Sequence, residues 1–109
     1  MTLQKIEIIG NTLGAIDGLN VSHYWRFSNE YPYCIWQEIG EIGLQTDGHK
    51  AEQGFYGQIE FFTRSEYDTY FDEIQNALNT IEKLYWEYDG ASFENETNLI
   101  HHSWTWRLL

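Results

Sequence analysis

Three groups of side chains in this sequence are of types that carry chemistry: the adjacent imidazoles His101-His102, the single thiol Cys34, and close acid pairs such as Glu94/Glu96 and Asp72/Glu73. Imidazoles hold a metal when their spacing brings them to one side of an element. Neighbouring residues of a strand point to opposite faces, so His101 and His102 do not converge on one ion. His23, His49 and Cys34 add no ligand spacing, and neither C-x-x-C nor H-E-x-x-H occurs. No metal and no cofactor is expected. Cys34 lies in the apolar stretch Tyr33-Cys34-Ile35-Trp36, where burial raises a thiol's pKa and makes it inert. The carboxylate pairs are of the kind any acidic chain contains. A glycosidase would need two of them at a set separation inside a cleft. No serine sits in a G-x-S-x-G elbow and no glycine loop is built to cradle phosphate. The expectation is a protein with no catalytic residues, not an enzyme.

The rings Trp104, Trp106, Tyr24 and Trp25 invite a second chemistry, base stacking, but single-strand binders join stacking to a positive groove. Seventeen Asp and Glu stand here against six Lys and Arg, for a formal charge of −11 over 109 residues. That sign opposes gripping of nucleic acid and docking on anionic membranes. Five Trp, eight Tyr and six Phe make 17% of the chain aromatic, which excludes a disordered acidic chain. The length suits one domain, 1–109. Cys34 has no disulfide partner, the start lacks a signal-peptide pattern, and no apolar run approaches a membrane span. A soluble intracellular domain is expected.

The elements that must position these residues are read from periodicity. Leu3, Ile6, Ile9, Leu13 and Ile16 recur at helical spacing, with Thr2 as a cap and Gly18 as a left-handed stop. Gly10 and Gly14 weaken that helix by roughly 1 kcal/mol each. Val21, His23, Trp25 and Phe27 alternate as a strand, and a longer strand is expected from Tyr33 to Gln45, with Gly40 and Gly43 hinting at a bulge that changes the inward face. Thr46-Asp47-Gly48-His49 reads as a hairpin turn leading into a strand from about Glu52 to Thr63. Ser65 is read as the N-cap of a second helix, with Asp68 near its positive end and an apolar stripe through Tyr67, Tyr70/Phe71, Ile74, Ala77/Leu78 and Ile81. Two strands, about Tyr85–Phe93 and Leu99–Leu108, flank Glu94-Asn95-Glu96-Thr97-Asn98. The fold class is α+β, with the order α-β-β-β-α-β-β. An antiparallel sheet of about five strands with both helices on one face is the simplest packing. The rings exceed what one buried face needs, so some are expected on an edge or on a surface that another chain covers.

The stretch Gly54-Phe55-Tyr56-Gly57-Gln58-Ile59-Glu60-Phe61-Phe62-Thr63-Arg64, followed by Ser65-Glu66-Tyr67-Asp68 and Phe71-Asp72-Glu73-Ile74-Gln75-Asn76-Ala77-Leu78, resembles the small tail-completion (tail-terminator, head–tail joining) proteins of long-tailed bacteriophages and prophages. Pro32-Tyr33-Cys34-Ile35 is similar to their strand start, and Ile100-His101-His102-Ser103-Trp104 to their late strand. The resemblance implies a non-enzymatic virion-assembly protein with an α+β sheet. It would form a homo-oligomeric ring, commonly a hexamer, that caps the tail tube and meets the head connector. Its place would be the bacterial host cytoplasm during assembly and then the virion. The chain departs from it in carrying few basic residues for a neck contact. An acidic protein-binding module, such as a DNA-mimic inhibitor, is the alternative. The residues expected to make contacts are the hairpin tip Asp47, Gly48, His49 and Lys50; the turn Glu94, Asn95, Glu96, Thr97 and Asn98; and the exposed face of the strand carrying Trp104 and Trp106. Residues 51–109 hold eleven acids and three bases against six and three in residues 1–50, so the second half should set how salt affects assembly.

Overall fold

The first apolar stripe folds as a helix in two parts, a 3-10 turn over Leu3–Ile6 that runs into α1, Glu7–Gly14. The computed structural model describes residues 3–26, 30–46 and 49–109, with backbone alone at 44–46 and 49–52. Thr2, read as the cap, lies outside the described residues. Ile6, Ile9 and Leu13 are buried, and Gly18 stands past the helix at φ +81°, a left-handed conformation that costs glycine nothing. The sequence charged Gly10 with weakening the helix, and the structure supplies the reason for it. A Cβ there would lie 2.6 Å from the Trp36 ring, so the missing side chain lets α1 settle onto that indole.

Five strands follow around a second helix: β1 Asn20–His23, β2 Tyr33–Thr46, β3 His49–Thr63, α2 Thr69–Leu78, β4 Leu84–Glu94 and β5 Leu99–Leu108. They form one sheet in the order β1-β2-β3-β5-β4. The fold class is α+β, as expected, but the sheet is mixed, because β1 runs parallel to β2 while the other three pairings are antiparallel. The strand that alternation extended to Phe27 ends at His23. Tyr24 takes φ +72°, outside the extended region. β2 runs in the same direction as β1 beside it.

Register divides the side chains into two faces. One row across the sheet is His23, Trp36, Ile59, Trp104 and Tyr88, and the next is Val21, Cys34, Phe61 and His102. Both rows lie on the face that Ile6, Ile9, Leu13, Ile74 and Leu78 of the helices cover; with these, Cys34, Trp36, Ile59, Phe61 and Trp104 belong to the core, while His23, Tyr88 and His102 stand at its margins. Gly57 stands between Glu38 and Trp106, where a Cβ would come 1.9 Å from the Gln37 carbonyl, so only glycine fits. A bulge between Glu38 and Gly40 shifts the register of β2, where the glycine had hinted at one. A second bulge between Tyr88 and Gly90 bends β4.

The second helix begins at Thr69, not after Ser65. Asp68 is its N-cap and accepts the Tyr70 N–H at 2.8 Å. Thr63 Oγ1 donates to the other Asp68 oxygen and accepts from the Ser65 N–H, so residues 64–67 form a turn that precedes the helix. A carboxylate fixed by a buried threonine outcompetes the exposed serine for the capping role.

The hairpin of β2 and β3 is longer than the sheet that supports it. β3 pairs with β5 only from Phe55 to Thr63, and His49–Gly54 pairs with β2 alone. At about 3.3 Å per residue the arm reaches roughly 20 Å past the core, and the molecule measures 52 × 26 × 23 Å.

Candidate functional site

The two adjacent histidines separate as strand geometry requires. His102 is on the helix-covered face, and His101 is on the open face, stacked on Phe62 at 4.4 Å with Nε2 3.4 Å from Glu60 Oε1. Among the described residues no group of three or more His, Cys, Asp or Glu is placed to hold a metal. Cys34 is fully buried, and burial pushes its thiol well above the ordinary range, with the Glu60 charge adding to the effect.

Around His102 the elements build a cleft of about 300 Å³, lined by Glu66, Tyr67, Asp68, Phe71, Asp72, Tyr88 and His102. Each wall has a structural cause. The 64–67 turn and the Asp68 cap bring Glu66 and Tyr67 to the rim. The first turn of α2 supplies Phe71 and Asp72. Tyr88 arrives from the edge strand just before the β4 bulge. Its hydroxyl lies 2.9 Å from His102 Nδ1, a hydrogen bond whose direction follows the tautomer of the ring. Phe71 meets Tyr88 edge-on at 5.2 Å and 89°, and the buried Trp104 packs behind both, 5.3 Å from Phe71 and 5.5 Å from Tyr88. Trp104 is itself fixed by donating Nε1–H to Gln75 Oε1 at 3.1 Å. Burial lowers the pKa of His102 below its ordinary 6.5; the Asp68 charge opposes this shift, while His101 adds to it. Burial also raises the Tyr88 phenol. Burial thus favours the neutral imidazole, in a cleft whose rim carries three carboxylates.

A second arrangement lies at the other side of the sheet. His23 is stacked between Trp36 and Tyr24, each at 3.9 Å, and its Nε2 lies 2.7 Å from Glu38 Oε2. The neighbouring cleft is lined by Leu3, Gln4, Ile6, Glu7, His23, Tyr24, Trp36 and Glu38. A histidine–carboxylate pair can activate a side-chain nucleophile within its reach, and among the described residues no Ser, Thr or Cys lines this cleft.

The expected contact residues are not gathered in one place. Asp47 and Gly48 lie outside the described residues, and the backbone of His49 and Lys50 pairs with Thr46 and Gln45 at the far end of the arm. Glu94–Asn98 is an exposed turn at the opposite end of β3, held by Thr97 Oγ1 donating to Glu94 and by Arg64 Nε donating to the Thr97 carbonyl. Trp104 and Trp106 require a correction. Both are fully buried beneath the helices and present no contact surface while the fold is intact. Alternation told that they share a face, and the helices occupy that face. The solvent side of β5 is carried by His101, Ser103, Thr105 and Arg107. Exposed rings stand elsewhere: Tyr85 at 61%, Trp25 at 59% and Tyr67 at 88%. The sequence reading did not single out Tyr88, Phe71 or the His23–Glu38 pair. Only the placement of His102 on the side of Trp104 and Trp106 pointed toward the cleft.

No protein-family model matches the chain, and no match is found among curated proteins. Among the described residues no helix is long and apolar enough to cross a membrane.

Proposed function

We propose that this chain is a non-enzymatic phage or prophage structural protein of the tail-completion type, acting as a homo-oligomeric ring that caps the tail tube and joins it to the head connector. The observation that supports this reading most is the pair of free edges on one sheet. Among the described residues no strand pairs with the outer side of β4, and none pairs with β2 beyond Trp36. Successive antiparallel pairings through β3 and β5 leave β4 running opposite to β2. A copy placed beside another with its helices on the same face therefore sets β4 antiparallel to the neighbour's β2. Such a head-to-tail contact generates a ring when its rotation closes.

Charge favours the same pairing. β4 carries Glu87, Asp89 and Glu94, so two β4 strands side by side would oppose acid to acid. The β2 segment Gln37–Gly43 carries only Glu38 and Glu41. The acids and the bulge of β4 also blunt it against indiscriminate pairing. A projecting hairpin is marginal alone, and the arm gains the support of a neighbour in a ring. In this role the chain works by shape and surface complementarity.

Negative-stain images of the purified protein test the proposal. Annular particles are expected, more abundant as salt screens the −11 charge. Monomers at every salt and concentration, together with capture of a DNA-binding protein, would favour the acidic mimic instead.

A further inference from the structure

We infer that the cleft between α2 and the end of β4 is a receptor for a guanidinium group, an arginine side chain presented by a partner protein. The site rests on the geometry of the cleft and is independent of how the chain assembles. Its walls are the rings of Phe71, Tyr88 and His102, with Tyr67 at the rim and Trp104 beneath. The other three lining residues, Glu66, Asp68 and Asp72, are acids, and among the described residues no Lys or Arg lines it. Ring faces attract a cation through their quadrupole. Exposed carboxylates then accept the guanidinium N–H groups, and this combination of ring walls and rim carboxylates suits arginine better than the compact ammonium of lysine.

The parts divide the work. Asp68 is committed to capping Tyr70 and to Thr63, so it supplies field and not contact. Glu66 and Asp72 are exposed on either side of it and free to close on a ligand. The Tyr88–His102 hydrogen bond fixes two walls at once. The neutral imidazole places no positive charge against an entering cation. No Lys or Arg of this chain is among the lining residues, so the cation would come from another molecule.

The test is a titration of the full-length protein at pH 7 with N-acetylarginine amide and, separately, N-acetylcitrulline amide, its uncharged isostere. Side-chain NMR signals of His102, Tyr88 and Phe71 are followed. Saturable shifts confined to these residues are expected with the arginine probe, with affinity roughly tenfold above citrulline. The double variant E66Q/D72N removes two charges from exposed positions without touching the cap, and it should abolish most of that preference. The Tyr88→Leu variant should weaken binding while the His102 and Trp104 signals report an intact fold. Equal affinity for the two probes would overturn the assignment in favour of an apolar cleft. A preference for arginine that survives E66Q/D72N, or the absence of saturable shifts with either probe, would also overturn it.

Discussion

His101 and His102 are consecutive residues of β5, yet they stand in different surroundings. His102 faces a packed layer in which Trp104, Phe61, Ile59 and Ile74 are wholly removed from solvent. His101 faces the open side of the sheet, among Phe62, Glu60 and half-exposed polar residues. The difference extends over the whole molecule. The covered face holds the packed core and the cleft beside His102. The open face, the free edges and the arm are where the proposed ring would make its contacts. A single strand thus turns Trp104, Trp106 and Leu108 into the core and His101, Ser103, Thr105 and Arg107 to the open face.

The contrast breaks most sharply with a pair of truncations. Trp104→Ala deletes a fully buried indole and its bond to Gln75, and should cost about 3–5 kcal/mol in denaturant unfolding. Tyr85→Ala removes a ring that is 61% exposed and should change monomer stability by no more than about 0.5 kcal/mol. If Tyr85 lies on the β4 contact, the same variant should instead weaken assembly. Equal stability losses would mean that the two faces are not distinct.

A smaller effect is expected at the mouth of the cleft. Asp68→Ala removes the N-cap of α2 and the anchor of Thr63, at a cost of roughly 1 kcal/mol. Asp68→Asn keeps an accepting oxygen and should recover most of that loss. Recovery measured by thermal melts would assign the effect to capping.

The smallest effect is a proton. The folded pKa of His102 lies below its ordinary 6.5, so the native state binds fewer protons than the unfolded state once pH falls toward that value. His102 therefore contributes no penalty well above pH 6.5, and stability declines as pH drops through 6.5 toward the folded pKa. A His102→Gln variant should flatten that part of the stability–pH curve. NMR titration of wild type should place the His102 midpoint below 6.5, and a midpoint above it would contradict the burial account.

How much of this was legible in the sequence depends on what periodicity encodes. The alternation of His102, Trp104 and Trp106 gave their common face, and the α-β-β-β-α-β-β order gave the class. Periodicity names sets of residues and does not say which set the helices will cover. That is why Trp104 and Trp106 were expected on a contact face and are found in the core. Local propensity placed the start of α2 at Ser65, because the Thr63–Asp68 bond that moves it to Thr69 joins residues on two elements. The parallel β1 turned on the conformation of Tyr24, a residue type that seldom adopts positive φ. The cleft was hidden for the same reason as the free edges: both arise where elements distant in sequence meet or fail to meet.

The most direct test of the ring proposal is sedimentation velocity of the purified chain across a salt series. The account predicts a discrete oligomer whose population rises with ionic strength and falls in a Tyr85→Ala variant. A single monomer boundary at every salt concentration, unchanged by that substitution, would contradict it.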